Sequence, residues 1–130
     1  MVTEEIIKKW SDAYNSGDVN RIAGLFAPDA VVRRVFFPQP LRGREAVRQA
    51  ETPLFNVFSA FQWKVFAAIV KGDAVAAEWT IVATNTGPLP TPGGMAPATN
   101  KRVEIHGASF FRVDGHGLIA EEHRYFDVAA

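Results

Sequence analysis

The sequence predicts an α+β fold, in which helices near the N-terminus pack over a strongly curved antiparallel sheet. Apolar residues in the first half recur at the three-and-four spacing of buried helix faces. In the second half, the segments 61–72, 73–87, 101–114 and 117–127 are rich in β-branched and aromatic residues. Helices followed by a run of strands indicate an α+β domain. Such a sheet forms a cone closed at one end, and we expect residues 1–130 to be one such domain.

The first helix is predicted over the amphipathic segment TEEIIKKWSDAYNSGD. Thr3 is suited to the N-cap position, and the acidic residues that follow it favour the positive end of the helix dipole. Gly17 is suited to the left-handed conformation that ends many helices. The spacing places five apolar side chains on one buried face: Ile6, Ile7, Trp10, Ala13 and Tyr14.

The next segments alternate between helix and strand signals. DVNRIAGLFA predicts a short helix that is capped by Asp18, directs Phe26 inward and ends at Pro28. AVVRRVFF then predicts a strand, and REAVRQAETPLFNVFSA predicts a helix that is bent or split at Pro53. The segment PLPTPGGMAPATN has Pro or Gly at nearly half of its positions and predicts a mobile loop.

The pairing of the last two strands decides which side chains enter the cone. If residues 114–117 form a four-residue loop, Val113 pairs with Leu118, and the more apolar face should lie against the core. A one-residue shift of this register would reverse the two faces. The predicted inner face carries Val103, Ile105, Gly107, Ser109, Phe111 and Val113 beside Leu118, Ala120, Glu122, Arg124 and Phe126.

Only three polar side chains lie on this predicted inner face, namely Ser109, Glu122 and Arg124. A buried carboxylate and a buried guanidinium are each strongly disfavoured alone, so we expect Glu122 and Arg124 to pair. By the same register His123 and Asp127 point away from the cavity.

The composition excludes several classes of protein. The 14 basic and 14 acidic residues create no net field for nucleic acid or an anionic membrane, so we expect neither partner. The chain has no cysteine, which removes disulfides, thiolate zinc sites and cysteine nucleophiles. The N-terminus lacks the pattern of a signal peptide, and we expect a cytoplasmic protein. His106 and His123 share the outer face, but their spacing is generic and we predict no metal site.

Ten Phe, three Trp and two Tyr give this chain many large rings. Such rings fill a core well, and the alternative is that some of them line a deep apolar cavity. The candidate ligand-binding residues are Trp10, Tyr14, Phe26, Phe55, Phe58, Trp63, Trp79, Ser109, Phe111 and Phe126.

Three stretches resemble the nuclear transport factor 2-like superfamily: YNSGDVNRIAGLFAPDAVV, LRGREAV and SFFRVDGHGLIAEEHRYFD. Within it, the chain is similar to SnoaL-like polyketide cyclases and ketosteroid isomerase-like proteins. The resemblance implies a conical α+β barrel with a deep pocket, a homodimer through the outer sheet face, and acid–base chemistry without a cofactor. Because this scaffold hosts many functions, the resemblance says little about the reaction.

The catalytic residues of these relatives do not carry over. Where ketosteroid isomerases have a tyrosine, a basic aspartate and a protonated aspartic acid, this chain has Trp10, Arg34 and Ser109. Where the cyclases and limonene epoxide hydrolases have an aspartate near the end, it has Arg124. The resemblance therefore implies a pocket that has changed from removing protons to binding anions.

These positions give three candidate catalytic residues. Arg34 and Arg124 could hold a carboxylate, enolate or carbonyl oxygen of a ligand, or each could simply neutralise an internal acid. Glu122 could be a general base or one half of a structural salt bridge. The first hypothesis is therefore an enzyme of the cyclase, isomerase or lyase kind that acts on an apolar carbonyl compound. The alternatives are a non-catalytic carrier of a small hydrophobic ligand and a dimerisation module with a filled cone.

Overall fold

The computed structural model describes residues 4–35, 37–91 and 93–126 and has an α+β architecture with helices packed on a curved sheet, which confirms the predicted class. Thr3 and Asp127 lie outside the described residues, so their predicted places stay predictions. No helix in these three ranges is long and apolar enough to cross a membrane. The elements are α1 (Glu4–Ser16), α2 (Val19–Ala23), β1 (Phe26–Arg34), β2 (Leu41–Arg42), α3 (Arg44–Val57), β3 (Phe58–Lys71), β4 (Ala74–Asn85), β5 (Leu89–Thr91), β6 (Gly94–Ala96), β7 (Arg102–Val113) and β8 (Ile119–Phe126).

Helix α1 lies against β3 and is fixed there by its last turn. The Asn15 side chain donates to the Trp63 carbonyl (3.0 Å) and accepts from the Trp63 N–H (2.6 Å), so its amide substitutes for a strand partner. Gly17 follows with a φ of 70°, which confirms its predicted role at the helix end. The predicted inner face is buried throughout, with Trp10 and Tyr14 fully enclosed.

Helix α2 is shorter than predicted. Asp18 caps it as expected, with its carboxylate accepting from the N–H groups of Asn20 and Arg21. The helix nevertheless ends at Ala23, and Phe26 and Pro28 already belong to β1, so the prediction that Pro28 ends the helix is wrong. The helix ends early because a tertiary contact overrides the local helix signal: Phe26 pairs with Ile119 at the edge of β8.

Two further predictions of local structure need correction. Helix α3 continues through Pro53 as a single helix and ends at Val57, so it is not split. The segment 88–100 is not only a loop, since β5 and β6 form a small two-stranded sheet within it. Asn85 anchors this segment by accepting the Thr99 N–H at its side chain (2.8 Å) and the Asn100 N–H at its carbonyl (2.8 Å).

The main sheet has the order β2-β1-β8-β7-β4-β3. Four of its pairings are antiparallel, but β1 runs parallel to β8, so the sheet is mixed where the sequence predicted it to be antiparallel. The parallel contact sets Arg34 directly beside Arg124 at one end of the strands. The β7–β8 hairpin is local in sequence, but the β1–β8 pairing joins distant segments that no short-range signal indicates.

The register of the β7–β8 hairpin differs from the prediction by two residues along most of its length. Val113 pairs with Ile119 instead of Leu118, and a bulge then leaves Ala120 unpaired in this ladder. Beyond the bulge, Ser109 pairs with Arg124. Ile119 is therefore buried, although Leu118 and Ala120 on either side of it were the residues predicted to face the core. Because the shift is an even number of residues, the inner and outer faces of the hairpin are otherwise those predicted.

Candidate functional site

A cavity of 140 Å³ lies between helix α3 and the inner face of the sheet. Most of its wall is apolar, and its charged wall is built by Arg34, Glu51 and Arg124. Phe37 is 42% exposed and marks the open side of the cavity. Among the described residues, the lining is formed by Arg34, Phe37, Ala50, Glu51, Leu54, Trp63, Trp79, Ile81, Ile105, Arg124 and Phe126.

The fold brings three charged side chains together from three elements. Arg34 ends β1, and Arg124 is its register partner on β8. Glu51 reaches them from α3, where it lies on the same face as buried Val47 and lining Leu54. Two like charges side by side on neighbouring strands repel each other, so the carboxylate between them is an electrostatic requirement of this arrangement.

Arg124 is held by partners on three sides. Its Nε and Nη2 donate to the two carboxylate oxygens of Glu122 (2.9 and 3.1 Å), and Nη2 also donates to the Tyr14 hydroxyl (2.8 Å). Its guanidinium carbon lies 5.1 Å from the Trp63 ring centre, within the range of a cation–π contact. The predicted pair of Glu122 and Arg124 is therefore present, with both side chains buried.

Arg34 and Glu51 form a second buried ion pair, through Nη1 and Oε1. Their side chains are only 8% and 1% exposed, and Nη1 of Arg124 lies 3.6 Å from the same Glu51 oxygen. Nevertheless, Nε and Nη2 of Arg34, Oε2 of Glu51 and Nε1 of Trp63 have no hydrogen-bond partner among the described residues. Buried polar atoms are nearly always satisfied, so these three lining residues keep hydrogen-bonding capacity that the described side chains do not use.

The pKa values of the cluster follow from burial and charge. Burial alone would raise the pKa of the Glu51 carboxyl, but the guanidinium groups of Arg34 and Arg124 outweigh it and hold that pKa below its ordinary value of 4.5. Burial raises the pKa of the Tyr14 hydroxyl far above 10.0, against the opposing charge of Arg124. Burial would lower the pKa of Arg124, but the charge of Glu122 raises it. At neutral pH, Glu51 and Arg124 are therefore charged and Tyr14 is neutral.

Three indole rings pack together at the cavity: Trp63 and Trp79 line it, and Trp10 lies behind Trp63. Trp63 packs against Trp10 and Trp79 with ring centres 4.5 Å apart in each case. The Trp79 N–H donates to the Ser109 hydroxyl (3.1 Å), so this serine is a partner of the indole. Trp10 also contacts Tyr14 and Phe111, which extends the aromatic cluster into the core.

The predicted site residues fall into three groups. Five of them line the cavity: Arg34, Trp63, Trp79, Arg124 and Phe126. Six lie behind that wall or in the core: Trp10, Tyr14, Phe26, Ser109, Phe111 and Glu122. Phe55 and Phe58 are only partly buried, belong to the end of α3 and the start of β3, and do not line the cavity.

Glu51 lines the cavity but was not among the site residues predicted from the sequence. Its signal was present, because Val47, Glu51 and Leu54 follow the spacing of one helix face, which puts a carboxylate on the buried side of α3. The expectation that arginines convert the site to anion binding also changes with this finding. Within the described residues, the cluster holds two guanidinium groups and two carboxylates, so its charges balance.

In the part of the chain that the structure describes, no three His, Cys, Asp or Glu residues lie close enough to hold a metal ion. Nε2 of His123 lies 3.0 Å from a carboxylate oxygen of Glu121. Nδ1 of His106 lies 3.1 Å from the hydroxyl of Thr80, its register partner on β4. The corrected register separates the two histidines along the hairpin.

Residues 7–122 match the family model of the SnoaL-like domain. No curated protein sequence matches the chain. Among solved structures, a protein with a ketosteroid isomerase-like fold from Catenulispora acidiphila, in complex with trimethylamine, is 20% identical with a TM-score of 0.80, and the match covers 98% of this chain and 89% of that protein. IdmH of Streptomyces antibioticus, a proposed polyketide cyclase, is 27% identical with a TM-score of 0.74, covering 95% and 91%. An epoxide hydrolase of the limonene type from M. tuberculosis is 23% identical with a TM-score of 0.70, covering 95% and 81%.

Proposed function

Because the chain belongs to the SnoaL-like domain family, we propose that it is a small-molecule enzyme of the cyclase, isomerase or lyase type. It acts without a cofactor on an apolar substrate that carries a carbonyl group. The observation that supports this most is the apolar cavity with one charged wall, in which buried atoms of Arg34 and Glu51 lack partners within the described ranges. A largely apolar pocket with a few convergent polar groups is the usual form of a small-molecule site.

In this proposal Arg34 and Arg124 bind the carbonyl oxygen of the substrate and stabilise negative charge that develops on it. Proton transfer belongs to Glu51, since both carboxylate oxygens of Glu122 already accept from Arg124 and that residue does not line the cavity. Oε2 of Glu51, in contrast, accepts no hydrogen bond from any described residue. Its low pKa makes it a weak base, so the proton that it removes must be acidified by the neighbouring guanidinium.

Exchange of protons beside the carbonyl group tests this chemistry before any natural substrate is identified. Small cyclic ketones and hydroxyketones incubated in D2O with the protein should take up deuterium faster than without it, as followed by NMR. Glu51→Gln should remove this acceleration. Glu45→Gln is the matched control, because Glu45 lies on the same helix with an exposed side chain paired to Arg48. Equal exchange with the native protein and with Glu51→Gln would refute the assignment.

The alternative is a protein that binds a small hydrophobic ligand without transforming it. The low pKa of Glu51 favours this alternative, since a carboxylate held between two guanidinium groups is a poor proton acceptor. The same panel separates the two functions. Binding detected by calorimetry with no deuterium uptake on any ketone supports a carrier, and uptake supports an enzyme.

We further propose that a second copy of this chain covers the outer face of the sheet. Phe66, Ile69, Phe110 and Tyr125 are all at least half exposed there, and Phe110 packs against Tyr125 with ring centres 6.2 Å apart. Exposed apolar side chains of this kind on one face of a sheet are typical of an interface. Phe110→Glu should convert a dimer to a monomer in light scattering, whereas Met95→Glu, at an exposed residue of β6, should not. A native protein that is monomeric at high concentration would contradict this proposal.

A further inference from the structure

We infer that the cavity selects a neutral ligand that carries a hydrogen-bond acceptor beside a hydrogen-bond donor. The part of the ligand that lies inside the cavity is no larger than a single ring. Hydroxy-carbonyl compounds and primary amides have this pattern. The inference rests on the proposed site and narrows its substrate class. It follows from three properties of the cavity, namely its volume, its charge balance and its unpartnered atoms.

The volume limits the size of the ligand. The cavity has a volume of 140 Å³. An apolar protein cavity of about 150 Å³ holds one benzene molecule. Pockets for larger organic ligands occupy roughly 300–1,000 Å³. The volume is small because Trp63 and Trp79 stand side by side in the wall and Trp10 fills the space behind Trp63. A fused-ring substrate would have to displace these indoles from a close-packed core.

The charge balance excludes an anion. Arg34 and Arg124 are neutralised by Glu51 and Glu122, and all four side chains are at least nine-tenths buried. A carboxylate ligand would add an unbalanced negative charge in a low-dielectric space, close to Glu51. A cationic ligand would add an unbalanced positive charge near two guanidinium groups. Only a neutral ligand leaves the cluster balanced.

The unpartnered atoms define the pattern of polar groups. Nε and Nη2 of Arg34 and Nε1 of Trp63 are donors, so the ligand must present an acceptor such as a carbonyl oxygen. Oε2 of the ionised Glu51 accepts only, so the ligand must also present an O–H or N–H. Because Arg34 and Glu51 are in direct contact, the acceptor and donor must lie close together on the ligand.

Benzamide and benzoate test the charge requirement, since they share a ring and a shape and differ in charge. Calorimetric titration of the native protein should give benzamide at least about tenfold tighter binding than benzoate, because a buried unpaired charge is costly. Naphthalene-1-carboxamide, which keeps the amide but doubles the ring, should bind at least about tenfold more weakly than benzamide because the cavity has no room for it. Benzoate binding as tightly as benzamide, equal binding of the larger amide, or no binding of either amide would each overturn the inference.

Variants show whether binding occurs at this cavity. Glu51→Gln removes one negative charge and should shift the preference by at least about tenfold toward benzoate. Ile81→Phe fills the cavity and should abolish benzamide binding, whereas Leu89→Phe on β5 should leave it unchanged. Melting curves establish that each variant is folded, and the comparison of ligands on the native protein stands if one is not. Benzamide binding without deuterium exchange on any ketone would refute the proposed enzyme and leave this inference intact.

Discussion

The β7–β8 hairpin carries two arginine–glutamate groups on opposite faces of the same two strands. On the inner face, Arg124 and Glu122 are 6% and 0% exposed, and Arg124 also donates a hydrogen bond to the Tyr14 hydroxyl. On the outer face, Arg112 and Glu121 are 58% and 41% exposed, and Arg112 also pairs with Asp73. The residue types are the same, but only the inner group has lost its water.

Charge constrains the fold only where the ion pair is shielded from water. An exposed ion pair competes with water at every moment and contributes little. A buried pair cannot exchange its partner for water, so each inner side chain depends on the other and on the register that brings them together. Alternation along the strands decides which ion pair is buried and which is exposed, since neighbouring residues of a strand point to opposite faces.

Removing one arginine from each face gives the largest expected contrast. Arg124→Met leaves Glu122 buried without its cation, which should lower the free energy of unfolding by about 3–5 kcal/mol. Arg112→Met exposes its partners to water and should cost about 0–1 kcal/mol. Urea denaturation of both variants measures the difference. Equal losses would mean that the inner pair is as hydrated as the outer one.

Two glycines on the same hairpin differ in the same way, since one lies in a packed position and the other in an open one. A Cβ added to Gly107 would lie 2.6 Å from the Tyr125 carbonyl oxygen and would collide with the Trp79 ring. Gly107→Ala should therefore cost about 1–3 kcal/mol by overpacking. Gly115 has no neighbouring described atom within 4 Å of such a Cβ, and Gly115→Ala should be nearly neutral in the same urea titration. A destabilising Gly115→Ala together with a neutral Gly107→Ala would contradict the close packing described around Gly107.

The acid side of the stability profile gives the smallest expected effect. The pKa of Glu51 is lower in the folded protein than its ordinary value of 4.5, so the folded state binds fewer protons there than the unfolded chain does. The resulting stabilisation is present above pH 4.5 and is lost as the pH falls through the lowered pKa of the folded state. Glu51→Gln should flatten this part of the melting-temperature profile.

The control for the acid profile is the exposed carboxylate of the same helix. Glu45 pairs with Arg48 at the surface, and Glu45→Gln should leave the acid branch of the profile close to that of the native protein. An unchanged acid branch in Glu51→Gln would contradict the electrostatic account of the buried cluster.

The sequence predicted the local parts of this fold better than the long-range ones. Helix α1 and strands β4, β7 and β8 follow short-range periodicity, and the inner position of Arg124 follows from alternation together with the more apolar face of the hairpin. The early end of α2 at Ala23 and the parallel β1–β8 pairing depend on distant segments that no local pattern encodes.

The candidate site shows the same limit. Glu122 and Arg124 share one hairpin and their pairing was predictable, whereas Glu51 meets Arg34 only because α3 packs over the end of β1. The hairpin register was wrong by two residues, since the bulge at Ala120 has no signature in the sequence. The even size of that error preserved the faces. An odd error would have exchanged Arg124 for His123.

A double-mutant cycle on Arg34 and Glu51 tests most directly whether the cavity wall is held by mutual neutralisation. Arg34→Met and Glu51→Gln should each destabilise the protein, and together they should cost less than the sum by about 1.5 kcal/mol or more. The same cycle on Arg48 and Glu45, which pair at the surface of α3, should show about 0.5 kcal/mol or less. Additive losses at Arg34 and Glu51 would contradict the account, because the two charges would then lie apart.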